Sequence, residues 1–133
     1  MINDSIVDDQ FVLAIATSST REKSKAVLDS AQIPYDTMIY ICGDDVTRKK
    51  PDPELFQIAC KRLNLQPEFC VVIEDAPNGV AAAKAAKCQC IAVTNTCGKD
   101  TLIDADLIVK SPDEVSLDTI KSLIFGKRNW TYP

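Results

Sequence analysis

Histidine is absent from this 133-residue sequence, and none of its cysteines forms a C-x-x-C pair. A metal site that mixes cysteine with histidine is therefore excluded. Two cysteines, Cys88 and Cys90, fall at the start of an apolar strand, which favours small core residues over a cluster of Cys88, Cys90 and Cys97. We assign no function from the sequence to any of the six cysteines, which are Cys42, Cys60, Cys70, Cys88, Cys90 and Cys97.

The sequence also lacks a long apolar run. No stretch approaches the roughly 20 apolar residues that a membrane-crossing helix needs. The first ten residues, MINDSIVDDQ, are polar and acidic, whereas a signal peptide is basic and then apolar. We therefore predict a cytoplasmic protein, or one that reaches an organelle after processing, with no membrane as a partner.

An excess of basic residues is missing as well. The chain has 15 lysines and arginines against 19 acidic residues, which gives a formal net charge of −4. No basic tract is present that could neutralise a run of phosphates on a duplex. Nucleic acid is therefore not an expected partner.

Apolar stretches of strand length alternate along the chain with helix-like stretches. This alternation is typical of an α/β fold with a parallel sheet and crossover helices. The length suits one compact domain, and we predict an N-terminal extension over 1–10, a core over 11–125 and a tail over 126–133. The predicted strands are Phe11–Ala16, Met38–Cys42, Cys70–Ile73, Cys90–Val93 and Leu107–Val109.

Short polar signals mark where two of the predicted helices begin. Ser19 with Glu22 fits a capping box for the first helix, whose apolar face would contain Val27, Leu28 and Ala31. The pair Asp52 and Pro53 starts the second helix, because aspartate can accept from free first-turn amides and proline has no amide hydrogen to leave unpaired.

Polar groups that suit a phosphate and a divalent cation follow three of the predicted strands. Hydroxyls and amides at the turn containing Thr17 and Ser18 can donate to phosphate oxygens near a helix N-terminus. Lys50 supplies a cation, and Glu74 with Asp75 supplies hard oxygen ligands for Mg²⁺. Each group taken alone also has a structural interpretation: a helix cap for the turn, a solvated basic patch for Lys50, and a surface loop for the two acids.

Three strings taken in order resemble one enzyme superfamily. They are ATSS at 16–19, KPDPELF at 50–56 and VVIEDAPNGVAAAKAA at 71–86. In this order they are similar to the second, third and fourth motifs of haloacid dehalogenase-like phosphatases and phosphomutases. The resemblance is nearest to the subgroup containing β-phosphoglucomutase and small sugar-phosphate or nucleotide-type phosphatases. It implies a three-layer, Rossmann-like parallel sheet with crossover helices.

The resemblance also implies a role for each candidate residue. Thr17, with Ser18, would hold the transferring phosphoryl group, and Lys50 would be the catalytic lysine that neutralises charge between nucleophile and phosphate. Asp75, with Glu74, would bind Mg²⁺. The substrate would be a phosphorylated small molecule.

One motif of that superfamily is missing. Its members carry the nucleophile in a D-x-D pair at the tip of the first, central strand, and the second aspartate of the pair acts as general acid and base. Ahead of Phe11 this chain offers only Asp4, Asp8 and Asp9, with no D-x-D and no apolar run. The space for a cap domain is missing too. We therefore expect a core that lacks the first strand and the cap, has no nucleophile, and is inactive in isolation.

The missing strand would lie between the motif-two and motif-four strands of the sheet. We expect the two flanking strands to pair directly, or residues 1–10 or a partner chain to supply a strand, since an unpaired central edge invites association. A homo-oligomer or a fragment of a longer protein follows from this expectation. Lys87 occupies a helix end where relatives carry glycine, and we expect it to take a positive φ at a cost of about 1 kcal/mol.

Three functional hypotheses remain open at this point. The first is an incomplete Mg²⁺-dependent phosphatase or phosphomutase, active only with a D-x-D strand from elsewhere. The second is a non-catalytic interaction or structural subunit whose exposed sheet edge pairs with a partner. The third is a phosphate-ligand sensor that uses Thr17, Lys50 and Asp75 without turnover.

Overall fold

The computed structural model describes residues 11–94 and 98–125, in which five short strands alternate with helices. The strands are β1 Ala14–Ala16, β2 Ile39–Ile41, β3 Val71–Glu74, β4 Gln89–Val93 and β5 Leu107–Val109. Each of the five strands lies inside a predicted strand or extends one residue beyond it. The observed strands and helices confirm the α/β fold class. The predicted extension, the tail and Cys97 lie outside the described residues.

Four α-helices follow β1, β2, β3 and β5, and five short 3-10 turns lie in the connections, one of them between β4 and β5. They are α1 Arg21–Ser30, α2 Glu54–Leu63, α3 Pro77–Ala85 and α4 Leu117–Phe125. The 3-10 turns are Tyr35–Thr37, Gly43–Asp45, Pro67–Phe69, Lys99–Leu102 and Pro112–Glu114. Within the described residues, none of these helices has the length and apolarity to cross a membrane.

Helix beginnings were predicted to within one or two residues. The predicted capping box at Ser19 is wrong, because Thr20 is the N-cap of α1 and its hydroxyl accepts from the Lys23 N–H at 3.2 Å. Asp52 does accept from a first-turn amide, since its Oδ1 lies 3.0 Å from the Glu54 N–H donor. The second helix therefore begins at Glu54, directly after the predicted Asp52–Pro53 signal.

All strand pairings are parallel, but they form two separate sheets. β1 pairs with β2, with Ala14 opposite Ile39, while β4 lies between β3 and β5 in the second sheet. The strand expected between β1 and β3 is missing from the described residues, and we call this space the gap between the sheets. The prediction that β1 and β3 pair directly with each other is wrong for the described residues. Closure by residues 1–10 falls outside the described chain, and closure by a partner stays a prediction.

Alternating side chains of β4 point into two different hydrophobic clusters. Cys90 and Ala92 pack with residues of α2 and α3, whereas Ile91 and Val93 pack with Val115 and with residues of α4. This period of two is the signature of a strand covered on both faces. The sheet therefore lies between helical layers, as in a three-layer α/β fold. Because α2 contacts β1 and β2 as well as α3, it joins the two sheets through one core.

The strands that border the gap between the sheets are the least buried. Residues 90–93 of central strand β4 are at most 3% exposed, as expected for a parallel strand with neighbours on both sides. By contrast, Ile73 of β3 is 44% exposed and all of β1 is only half-buried. The described chain thus leaves one edge of β1 and one edge of β3 open.

The expectation for Lys87 is confirmed, because its φ is 73°. The residue follows the C-terminus of α3, and its N–H donates to the Lys84 carbonyl at 3.0 Å. A side chain in this left-handed region is disfavoured relative to glycine. The chain therefore holds a small amount of backbone strain at this helix end.

Candidate phosphate and metal site

The turn after β1 is held by its own backbone and hydroxyl groups. The Thr17 N–H donates to the Ile41 carbonyl at 3.0 Å, which extends the β1–β2 pairing by one residue. The Thr17 hydroxyl accepts from the Ser19 N–H at 3.1 Å. That bond uses an acceptor lone pair, so the hydroxyl hydrogen is left to donate. Thr17 and Ser18 are both half-buried.

The same turn packs closely against the loop that follows β2. The Gly43 N–H donates to the Ser19 carbonyl at 2.7 Å, and a Cβ placed on Gly43 would overlap the carbonyl oxygen of Ser18. Glycine is therefore required here by the close approach of two backbones. The turn containing Thr17 and the loop leading to Lys50 consequently meet at the C-terminal edge of the first sheet.

An ion pair that the sequence did not reveal fixes the start of α1 to this loop. The Arg21 guanidinium donates to both carboxylate oxygens of Asp45, at 3.0 and 2.8 Å, and the Arg21 N–H donates to Asp44 at 3.0 Å. Asp45 also accepts from the Cys42 N–H at 2.9 Å. That backbone bond, with the help of Arg21, lowers the pKa of Asp45 below its ordinary value.

Glu54 organises the segment just ahead of Lys50. Its carboxylate accepts from the Thr47 N–H at 2.7 Å, from the Thr47 hydroxyl at 2.9 Å and from the Arg48 N–H at 2.6 Å. The backbone bond from Arg48 is the main cause that lowers the pKa of Glu54. A carboxylate in the first turn of α2 therefore closes the loop that carries Lys50.

Lys50 and Glu74 form the centre of the candidate site. The Lys50 Nζ lies 2.7 Å from Glu74 Oε2, and the two side chains are only 16% and 11% exposed. The ammonium also lies 5.3 Å from the centre of the Phe56 ring, within cation–π range. This pair links the loop after β2 to the end of β3, and so it connects the C-terminal edges of the two sheets. Of the predicted site residues, Lys50 and Glu74 are therefore in direct contact.

Glu74 is packed against the start of α3, which explains the glycine of the EDAPNG string. A Cβ placed on Gly79 would overlap the Cδ, Cγ and Oε2 atoms of Glu74. The other carboxylate oxygen, Oε1, accepts from the Asp75 N–H at 3.2 Å. Only a residue without a Cβ leaves room for the Glu74 side chain in this rotamer.

The donor set at the end of β3 suits a hard cation. Glu74 and Asp75 supply adjacent carboxylates, and Mg²⁺ in proteins is commonly held by one or two carboxylates together with waters and phosphate oxygens. One Glu74 oxygen is committed to Lys50. Across residues 11–94 and 98–125, no group of three or more acidic or cysteine side chains has the geometry of a metal site. The described chain therefore fits part of a Mg²⁺ shell and would need further oxygen ligands.

A D-x-D string does occur late in the chain, at Asp104 and Asp106, but its position does not suit a nucleophile. It precedes β5, whereas the candidate site lies where strands end. The Asp106 carboxylate accepts from the Cys90 N–H at 2.8 Å and from the Lys84 ammonium at 2.7 Å. Asp106 therefore anchors the start of β4 and is not part of the candidate site.

Comparison with known proteins agrees with this geometry. A family model described as haloacid dehalogenase-like hydrolase matches residues 4–93. Validoxylamine A 7′-phosphate phosphatase from Streptomyces hygroscopicus is 38% identical over 77% of this chain, and hexitol phosphatase A from Escherichia coli is 33% identical over 78%. In both cases the match covers 48% of the relative. The chain thus spans about half the length of these curated relatives.

Solved structures resemble the fold over the same share of their length. CbbY from Rhodobacter sphaeroides in complex with phosphate aligns with a TM-score of 0.79 at 29% identity, covering 90% of this chain and 57% of that one. A putative β-phosphoglucomutase from Thermotoga maritima aligns with a TM-score of 0.69 at 30% identity, covering 86% and 51%. The sequence motifs, the parallel α/β architecture and these relatives agree that the chain belongs to the haloacid dehalogenase-like hydrolase family.

Proposed function

We propose that this chain is the phosphate-binding part of a Mg²⁺-dependent phosphomonoester phosphatase or phosphomutase, and that it needs a D-x-D strand from elsewhere for turnover. The observation that carries the proposal is the Lys50–Glu74 ion pair, which links the loop after β2 to the carboxylates at the end of β3. A largely buried ammonium beside a metal-type carboxylate is suited to a phosphate bound next to a cation.

Each candidate residue has a donor or acceptor available for this role. An ammonium has three hydrogens, so Lys50 can keep its bond to Glu74 and still donate to a phosphate oxygen. The Thr17 hydroxyl accepts from Ser19 and can donate its hydrogen to the same phosphate. Glu74 and Asp75 would hold the Mg²⁺, which when bound neutralises phosphate charge and orients the phosphoryl group. Lys50 would bind and orient the phosphate from the opposite side.

A covalent step is not expected from these residues alone. Positioning and charge neutralisation lower a barrier but do not provide a nucleophile. The carboxylates at the end of β3 are assigned to the metal, and Asp106 lies before β5. The nucleophile would therefore enter on a strand that occupies the gap between β1 and β3. Two relatives are named validoxylamine A 7′-phosphate phosphatase and hexitol phosphatase A. These names support a phosphorylated small molecule as the substrate.

Calorimetry with Mg²⁺ and inorganic phosphate tests the binding half of this proposal. We expect heat from phosphate binding in the presence of Mg²⁺, and a loss of about tenfold or more in affinity in Lys50→Met, because a hydrogen bond to a charged group is removed. Lys49→Met is the matched control, since Lys49 is the exposed neighbouring lysine and should leave the affinity unchanged.

Absence of any binding heat in the unmodified chain would overturn the proposed phosphate site and the sensor hypothesis with it. An equal loss of affinity in Lys49→Met and Lys50→Met would show that the effect is one of net charge alone. Circular dichroism melting of both variants checks that each one folds, so that a loss of binding is not mistaken for a loss of structure.

A role as an interaction subunit is the second candidate, and the open edges favour it. Within the described chain β1 and β3 each have a neighbour on one side only, and Ile73 is 44% exposed. Such edges present unpaired amides and carbonyls that can bind an added strand. Native mass spectrometry should then show a homo-oligomer or a stable complex with a partner chain. A well-behaved monomer over a range of concentrations would count against this role.

A further inference from the structure

Three cysteine side chains meet in the core at the edge of the sheet opposite to the candidate site. Cys60 lies in the last turn of α2, Cys70 directly precedes β3, and Cys88 directly precedes β4. They are 5%, 8% and 1% exposed. The Sγ atoms of Cys60 and Cys88 are 3.5 Å apart. We call Cys60, Cys70 and Cys88 the thiol cluster.

The register of the sheet explains why these side chains meet. Val71 pairs with Gln89, and the Gln89 N–H donates to the Cys70 carbonyl at 3.0 Å. Cys70 and Cys88 each lie one residue earlier, so they stand side by side on adjacent parallel strands. Cys60 reaches both from α2, which packs over this face of the sheet.

The thiol cluster is separate from the candidate phosphate site. It lies where β3 and β4 begin, whereas Glu74 is the last residue of β3. Four strand residues at about 3.3 Å each place these two positions about 13 Å apart along the strand. A reaction at the cluster can therefore be measured independently of phosphate binding.

Hydrogen bonding within the cluster makes its members chemically unequal. Bonds from the Cys70 thiol and then from the Cys88 thiol lower the pKa of Cys60. The same bonds to Cys60, together with burial, raise the pKa of Cys70 and of Cys88. Since the thiolate is the reactive form of cysteine, Cys60 is the member suited to attack an oxidant.

We propose that Cys60 and Cys88 form a modification site at which a hydroperoxide produces an intramolecular disulfide. The Cys60 sulfur attacks one oxygen of the peroxide, the O–O bond breaks, and water leaves with the thiol proton to give a sulfenic acid on Cys60. The Cys88 sulfur then attacks the Cys60 sulfur and displaces the hydroxyl as a second water. Two thiols and one hydrogen peroxide thus give one disulfide and two waters.

Burial sets the rate of this reaction and not its outcome. All three thiols are less than a tenth exposed, so the oxidant must enter when the cluster opens locally. Cys60 lies in the last turn of α2, four residues before the left-handed cap Asn64, and helix ends open more readily than strand cores. Once Cys60 is oxidised, the Cys88 sulfur lies 3.5 Å from it, whereas the Cys70 thiol donates to the Gln66 carbonyl at 3.6 Å.

The test is peptide mapping of the whole chain after treatment with hydrogen peroxide. Remaining thiols are blocked with N-ethylmaleimide, the chain is digested with trypsin, and disulfide-linked peptides are identified by tandem mass spectrometry. Trypsin separates Cys60 from Cys70 after Lys61 and Arg62, and it releases Cys88 after Lys87. We expect a linked peptide that joins Cys60 to Cys88 and disappears on reduction.

A matched pair of variants isolates the site. Cys42→Ala removes a buried cysteine outside the thiol cluster and should leave the yield of the linked peptide unchanged. Cys88→Ala should abolish it. The proposal is overturned if all the thiols of the unmodified chain stay free after oxidation, or if Cys60 is recovered linked to Cys70 or to another cysteine. Because the decisive measurement is made on the unmodified chain, poor folding of a variant does not leave the question open.

Discussion

Replacement of Gly79 by alanine tests whether the Lys50–Glu74 pair is held by the packing of α3. The new Cβ would overlap three side-chain atoms of Glu74, so the carboxylate must leave its position and the bond to Lys50 must break. Losing a hydrogen bond between charged groups costs about 1.5–3 kcal/mol. Alanine in a helix gains about 1 kcal/mol over glycine. We therefore expect Gly79→Ala to lower the free energy of unfolding by about 0.5–2 kcal/mol.

Urea denaturation followed by circular dichroism measures this change, and a second background removes its cause. In Glu74→Ala the obstructing side chain is absent, so the further change Gly79→Ala should raise stability by about 1 kcal/mol. Gly98→Ala is the control, because a Cβ there meets no atom within 4 Å and should change stability by less than about 0.5 kcal/mol.

Two results would contradict this reasoning. The first is a Gly79→Ala variant at least as stable as the original chain. The second is an equal loss of stability in both the original and the Glu74→Ala background, since the effect of Gly79 would then not pass through Glu74.

Two further predictions concern the backbone and the loop after β2. The lowered pKa of Asp45 adds stability that is present above its ordinary value of 3.8 and is lost as the pH falls through the folded-state pKa. Asp45→Asn should thus lower the free energy of unfolding by about 1 kcal/mol at neutral pH. The stabilities of the two proteins, measured by urea denaturation, should converge only as the pH falls below 3.8 and through the lowered folded-state pKa of Asp45. Lys87→Gly should raise the free energy of unfolding by about 1 kcal/mol, because the φ of Lys87 is 73°. Lys61→Gly should lower it by a similar amount, because Lys61 is an exposed residue within helix α2.

The sequence predicted the strands well because each is a short apolar run that ends at a turn signal. β5 has the predicted bounds, and β4 differs by one residue. The first strand was predicted to begin at Phe11 but begins at Ala14, because its partner β2 has only three residues to pair with. The length of a partner strand cannot be read from the apolar run itself.

The buried face of α1 was predicted correctly for Leu28 but not for Val27 or Ala31. Val27 was placed on the apolar face but is 67% exposed, while Ser24 is 6% exposed. The Ser24 hydroxyl donates to the Thr20 carbonyl at 2.8 Å and contacts the Tyr40 hydroxyl, so a polar side chain is satisfied inside the core. In a helix with so few apolar residues, Ser24 and Leu28 define the buried side, so hydropathy alone identifies Leu28 but misses Ser24.

The sequence placed Lys50 and Glu74 at one edge of the sheet, and the structure brings these two side chains into direct contact. Polar residues after parallel strands meet at one edge, which is why Lys50 and Glu74 were both identified. Nothing in the spacing indicated that Glu74 would bind Lys50 directly, or that Arg21 would pair with Asp45 across 24 residues. Both contacts depend on how the loops fold back, and no short-range pattern encodes that geometry.

The gap between the sheets and the proposed lack of a nucleophile would have one physical origin. A strand that carries D-x-D would lie between β1 and β3, and these strands have their open edges there in the described residues. One added strand would thus complete the sheet and bring a carboxylate beside Lys50. The proposed catalytic deficit and the proposed tendency to associate are two consequences of one structural feature.

Turnover of a generic phosphomonoester is the most direct test of this account. The purified chain is incubated with 4-nitrophenyl phosphate and Mg²⁺, and release of 4-nitrophenol is compared with that of the Asp75→Asn variant. We predict that neither protein exceeds the rate without protein, because the proposed phosphate site contains no nucleophile. Clear turnover by the original chain that Asp75→Asn abolishes would contradict the account, since the site would then be complete.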